Sequence, residues 1–105
     1  MFIRVVTFGL NGISTDEYEH SAATLVDAFA AWPGLDTKYW LADYENGTFG
    51  GVYLFESKAD ADQSRTTSLF TGLVDNPAFT DLTIQEFDTL DVSTSGCISG
   101  GGPVG

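Results

Sequence analysis

Apolar positions along this chain change period several times, and each change marks an element. From Phe2 to Phe8, FIRVVTF, apolar and aromatic side chains fall on both alternation sets, as in a strand covered on two faces. In LNGIS, Asn11 and Gly12 predict a turn, and Ser14 with Glu17 three residues on predicts an N-cap closed as a capping box. On a helical period Ala22, Leu25, Phe29 and Trp32 then share one narrow stripe with Tyr18, suited to packing on a sheet, and Pro33 and Gly34 stop the helix. His20, the only histidine, points away from that stripe toward solvent.

LDTKYWLAD, Leu35 to Asp43, reads as a second strand, and YENGTF carries the turn residues of a hairpin that returns as GGVYLFE. Val52, Tyr53, Leu54 and Phe55 are apolar without alternation, so both faces of this strand also need cover. Gly50 and Gly51 before them leave room for a ligand, for a partner sheet, or for a bulge. Ser57 caps a second helix expected from about Lys58 to Leu73. Ala59, Thr66, Leu69, Phe70 and Leu73 share its inward side, and Asp62 falls there too. After the loop VDNPAFT, DLTIQEFDTLDV alternates Leu82, Ile84 and Glu86 with Thr83, Gln85 and Phe87, as a half-exposed edge strand does. The domain is expected to span 1–92, and the Gly/Ser-rich tail 93–105 to be mobile.

Strand, helix, strand, strand, helix, strand is the ferredoxin-like order: an α+β fold, βαββαβ, with an antiparallel sheet and both helices on one face. The first and third strands are then central. Being apolar on both faces, they predict a homodimer in which two copies press their open sheet faces together.

Charge removes several partners. Fifteen Asp and Glu against four Lys and Arg give −11, which repels phosphate backbones and anionic membranes, so neither nucleic acid nor membrane is expected. The lone Cys97 makes no internal disulfide, MFIRVVTFG is too short an apolar run for a signal peptide, and a cytoplasmic setting fits both.

GLDTKYW, GGVYLF and the later EFD resemble the YdhR-like mono-oxygenase family of the dimeric α+β barrel group. Gly34, Lys38, Trp40, Gly50, Gly51, Tyr53, Leu54 and Phe55 carry the resemblance, with Phe8, Asn11, Gly12, Phe87 and Asp88 in support. It implies a homodimer with an outer helical layer and a hydrophobic pocket between sheet and helices. The chain departs from the family at Leu41 and Ala42, where a polar or acidic pair is usual, and in a second helix that lacks the family's tyrosine and histidine.

No phosphate cradle, calcium loop or His/Cys cluster is present, so no metal and no cofactor is expected, and a solvent-facing His20 gives no triad hydrolase a base. What remains is chemistry in which the substrate reduces oxygen itself. An electron-rich phenol or anthrone, bound dry and deprotonated, needs only an anion-stabilising site. Arg4 and Lys38 lie in strands and could supply that charge, or could pair with acids or run to the rim. Trp40 and Tyr53 could be flat walls or packing, and Asn11 could close the mouth or simply make its turn. Arg4, Phe8, Asn11, Lys38, Trp40, Tyr53, Thr66 and Phe70 are accordingly the expected substrate-binding set, with the catalytic residue unassigned. The alternative is a non-catalytic homodimer holding a small apolar ligand.

Overall fold

The computed structural model describes residues 1–90. Cys97 and the expected tail at 93–105 lie outside the described residues. The elements run β1 (Phe2–Leu10), α1 (Thr15–Ala30), β2 (Leu35–Asp43), β3 (Thr48–Phe55), α2 (Lys58–Ser64), α3 (Ser68–Asp75) and β4 (Phe79–Asp88). The strands form one antiparallel sheet in the order β2-β3-β1-β4, the ferredoxin-like arrangement with β1 and β3 central.

Local chemistry sets the boundaries. Ser14 caps α1 as a full capping box: its hydroxyl accepts from the Glu17 amide, and the Glu17 carboxylate accepts from the Ser14 amide. The helix ends at Ala30, so Trp32 sits in the following turn, yet it is buried against Phe29 and Tyr53. Gly34 takes a left-handed φ of 75°, and a Cβ there would overlap the Asp60 side chain, so glycine alone fits without strain.

The second helix differs from expectation: it is two helices, broken between Ser64 and Ser68. No glycine or proline marks the break. Hydroxyls make it: Ser64 Oγ donates to the Ala61 carbonyl, Thr66 Oγ1 to that of Gln63 and Thr67 Oγ1 to that of Ser64, while Thr67 Oγ1 accepts from the Phe70 amide and caps α3. The break resets the helical phase. Ala59, Thr66 and Asp62 end up exposed, Asp62 paired with Lys58, Ala61 and Ser64 turn inward instead, and Phe70 is buried as expected.

Phe2, Arg4, Val6 and Phe8 of β1 and Phe49, Tyr53 and Phe55 of β3 are buried beneath the helices. Arg4, fully buried, is the knot of this layer. Its guanidinium donates to Glu86 on β4, to Ser64 Oγ and to the Ala61 carbonyl, each at 2.8 Å, and lies 5.0 Å from the ring centres of Phe55 and Phe70. Arg65 reaches the other oxygen of Glu86 at 2.9 Å. Burial pushes the Glu86 carboxyl up, but the hydrogen bonds and charges of both arginines outweigh it and hold the carboxyl below its ordinary range.

The opposite face carries no helix. By register Ile3 pairs with Leu54 and Phe87, Val5 with Val52, and Val52 with Tyr39, which makes one continuous apolar patch; Tyr39 is 60% and Phe87 52% exposed. What approaches the bare backbone of Gly50 is β1 itself. At φ 154° its Cβ would overlap the Val6 carbonyl oxygen, which leaves no space there for a side chain.

Two glycines should therefore behave oppositely. Gly50→Ala is expected to lower the unfolding free energy by more than about 2 kcal/mol through strain against β1. Gly72→Ala, inside α3 where an added Cβ meets nothing within 4 Å, is expected to raise it by roughly 0.5–1 kcal/mol. Urea denaturation of the two variants measures both.

Candidate active site

Between α1, α3 and the sheet lies a cavity of about 270 Å³. It exists because the helices do not close on one another: Leu25 of α1 stays 38% exposed, and Gly72 of α3 presents no side chain. Two aromatic groups wall it. One is Phe8, Tyr18 and Phe79, with Phe8 stacked on Phe79 at 4.1 Å and edge-on to Tyr18. The other is Phe29, Trp40 and Tyr53, contributed by α1, β2 and β3.

Lys38 stands in the second group. Its Nζ is 3.3 Å from the ring centres of both Phe29 and Trp40 and 4.6 Å from that of Tyr53, its cross-strand partner. Gly51 makes the space, since a Cβ there would meet Lys38 Cε at 3.0 Å and Tyr53 Cε1 at 3.2 Å. No carboxylate approaches: among the described residues the ion pairs belong to Arg4, Lys58 and Arg65. Lys38 is half-buried, and this desolvation without a counter-charge pushes its amine down to about 7. The rings around Nζ favour its charged form, and an amine near neutrality is poised to exist in both states.

Two hydroxyls join it. Tyr18 and Tyr53 are 7% and 2% exposed, and neither hydroxyl has a protein partner among the described residues. No buried side-chain polar atom there is left without a partner, so neither oxygen is fully enclosed, and both residues line the cavity. Burial raises the Tyr18 phenol to about 12 and that of Tyr53 further in the same direction, so both remain protonated donors.

Of the eight residues expected to bind substrate, Phe8, Lys38, Trp40 and Tyr53 line the cavity, and the other four do not. Arg4 is committed to Glu86, Ser64 and Ala61. Phe70 packs on the guanidinium groups of Arg4 and Arg65, Thr66 is exposed at the helix break, and Asn11 is exposed with its amide bonded to the Ala78 carbonyl. Tyr18, Phe29, Gly72 and Phe79 line the cavity without having been expected to bind substrate. Tyr18 and Phe29 lie on the α1 stripe that the sequence assigns to packing, while Gly72 and Phe79 carry no local pattern that separates cavity from core. His20 is exposed, as expected, and no group of three or more His, Cys, Asp or Glu among the described residues could hold a metal. No helix among them is long and apolar enough to cross a membrane.

An antiparallel sheet in this strand order with helices on one face, hollow between the layers, defines a ferredoxin-like α+β protein. The family described as "Putative mono-oxygenase ydhR" matches residues 3–96, and the chain belongs to that family. No curated protein sequence matches the chain. Among solved structures, an antibiotic biosynthesis monooxygenase superposes with a TM-score of 0.70 at 20% identity, covering 86% of this chain and 99% of the other. A protein from Deinococcus radiodurans described as a "putative antibiotic biosynthesis monooxygenase" gives 0.74 at 14% identity over 89% and 96%. A point mutant of SnoaB, a cofactor-independent oxygenase from Streptomyces nogalater, gives 0.70 at 15% over 87% and 94%. At these identities the likeness is one of fold.

If burial alone depresses the Lys38 amine, the folded state binds its proton less tightly than the unfolded state. The resulting handicap is full below about 7 and is relieved as pH rises toward the ordinary lysine value of 10.5. Lys38→Met is therefore expected to be more stable than wild type at pH 7, with the gap closing toward pH 10. Paired urea titrations across that range check the sign.

Proposed function

We propose that this protein is a cofactor-independent mono-oxygenase of electron-rich aromatic compounds such as anthrones or polycyclic phenols, working as a homodimer. The observation that carries the reading is an amine with no acid partner, set among aromatic rings in an apolar cavity. A planar substrate slides between the two aromatic groups. The neutral Lys38 amine takes the acidic C–H or O–H proton, and the ammonium it becomes stays beside the new anion and lowers its energy, with the Tyr53 hydroxyl as a further donor. The carbanion reduces oxygen directly. For an anthrone the methylene carbon gains the oxygen of a peroxide intermediate, which loses water, so that substrate and O₂ become quinone and water. Exclusion of bulk water strengthens the ammonium's hold on the anion.

The dimer follows from the open sheet face. Four strands of about nine residues span roughly 19 by 30 Å. That patch is of the order of the ~800 Å² per partner that stable interfaces bury. Its centre is Val5, Val52, Leu54 and Ile3, residues that belong in a core.

Purified protein mixed with anthrone in air is expected to form anthraquinone faster than buffer, with kcat/KM rising as pH passes through about 7. Lys38→Met should lose about 100-fold or more. No acceleration over buffer, or an unchanged rate in the variant, contradicts the reading. Sedimentation at micromolar concentration is expected to give a dimer, and Val52→Asp, on the open face, a monomer with the same helix content. A wild-type monomer contradicts that part.

A further inference from the structure

The Lys38 amine has a second consequence that does not depend on oxygen. A primary amine in an apolar cavity, free of any ion pair and 4.6 Å from the ring centre of a tyrosine, is an arrangement that condenses with carbonyl compounds. We propose that Lys38 captures hydrophobic aromatic aldehydes entering the cavity as a covalent Schiff base, so that the site can hold or process carbonyl compounds as well as phenols. The geometry supports this independently of the oxygenase reading. Nζ lies 3.3 Å from the ring centres of Phe29 and Trp40, so an aldehyde whose ring packs along these walls brings its carbonyl carbon to the nitrogen. Tyr53, the cross-strand partner of Lys38, lines the same cavity with its hydroxyl.

The step balances without any further reagent. The nitrogen lone pair bonds to the carbonyl carbon while the C=O π pair moves to oxygen, which takes a proton from the Tyr53 hydroxyl. The nitrogen gives up a proton to that phenolate, the nitrogen lone pair then forms C=N as the C–O bond breaks, and the departing hydroxide takes the nitrogen's second proton to leave as water. Amine and aldehyde become imine and water, and nothing is oxidised or reduced. The neutral amine is required, and no ion pair holds it charged: the titratable groups lining the space about Lys38 are Tyr53 from β3 and Tyr18 from α1, both held protonated by burial, and the exposed Asp36 of β2, which forms no ion pair with it. Formation of the imine also removes a positive charge from an environment that solvates it poorly.

The sequence supplies its own control, because Lys58 is the only other lysine. Lys58 is exposed and paired with Asp62 at 3.0 Å, and that carboxylate holds its ammonium above the ordinary range. Full-length protein would be incubated at pH 7.5 with 2-naphthaldehyde and sodium cyanoborohydride under nitrogen, and the reduced adducts located by peptide mass mapping. Lys38 is expected to label at least tenfold faster than Lys58 or the α-amino group. Gly72→Leu, which fills the cavity from α3, should slow labelling of Lys38 tenfold and leave Lys58 unchanged; if that variant misfolds, excess naphthalene should protect Lys38 in the wild type to the same end. Labelling of Lys38 no faster than Lys58, or fast labelling that neither the variant nor naphthalene reduces, overturns the proposal. The reaction excludes oxygen, so loss of anthrone oxidation with retained labelling, or the reverse, separates the two activities.

Discussion

Two cations lie beneath the helices of this sheet, and only one of them is paired. Arg4 sits in the central strand with three hydrogen bonds at 2.8 Å, tying β1 to β4 through Glu86 and to the end of α2 through Ala61 and Ser64. Removing one partner from such a buried set costs about 3–5 kcal/mol, far more than the exposed Lys58–Asp62 pair contributes at about 0–1. Arg4 thus fixes where the helical layer rests. Lys38, two strands away, has rings instead of carboxylates, and burial acts on it with no counter-charge beside it.

The same knot shapes the cavity. Ser64 holds Arg4 and also turns its hydroxyl onto Ala61, at the residue where the helix breaks. α3 then begins afresh from the Thr67 cap, carrying Gly72 and Leu73 along the cavity rather than onto α1. A single straight helix from Lys58 to Leu73 would have kept the phase that put Thr66 and Ala59 inward. Glu86 is held by two arginines and lies on β4, at the opposite edge of the sheet from Lys38 on β2. The charge of −11 acts at long range in the opposite sense, favouring neutral over anionic ligands.

How much of this was legible in the sequence follows from how far each signal reaches. Strand order, the Ser14–Glu17 cap and the central placement of FIRVVTF and GGVYLF are local or period-based, and they were readable. The break at Ser64 to Ser68 was not, because serine and threonine compete with a helix only when their hydroxyls find backbone oxygens, which depends on Arg4 pinning Ser64 from 60 residues away. Arg4 and Lys38 looked alike in sequence, each a cation within a strand. Tyr53 of β3 stands across from both; the difference is that Arg4, on a central strand, has Glu86 of β4 on its other side, whereas Lys38 lies on the edge strand β2 and has no second neighbour. Gly51 likewise reveals its purpose only once the Lys38 stem is seen to occupy the space beside it.

The central claim is that Lys38 titrates near neutrality because nothing acidic stands beside it. With two lysines in the chain, ¹³C-labelled lysine gives two Cε signals whose chemical shifts can be followed by NMR from pH 5 to 11. The account predicts one signal turning over at about 7 and vanishing in Lys38→Met, with the other moving only above the ordinary lysine value. Two signals that both titrate at 10.5 or higher would show that the rings hold Lys38 as a permanent ammonium, and the chemistry assigned to its free amine would fall.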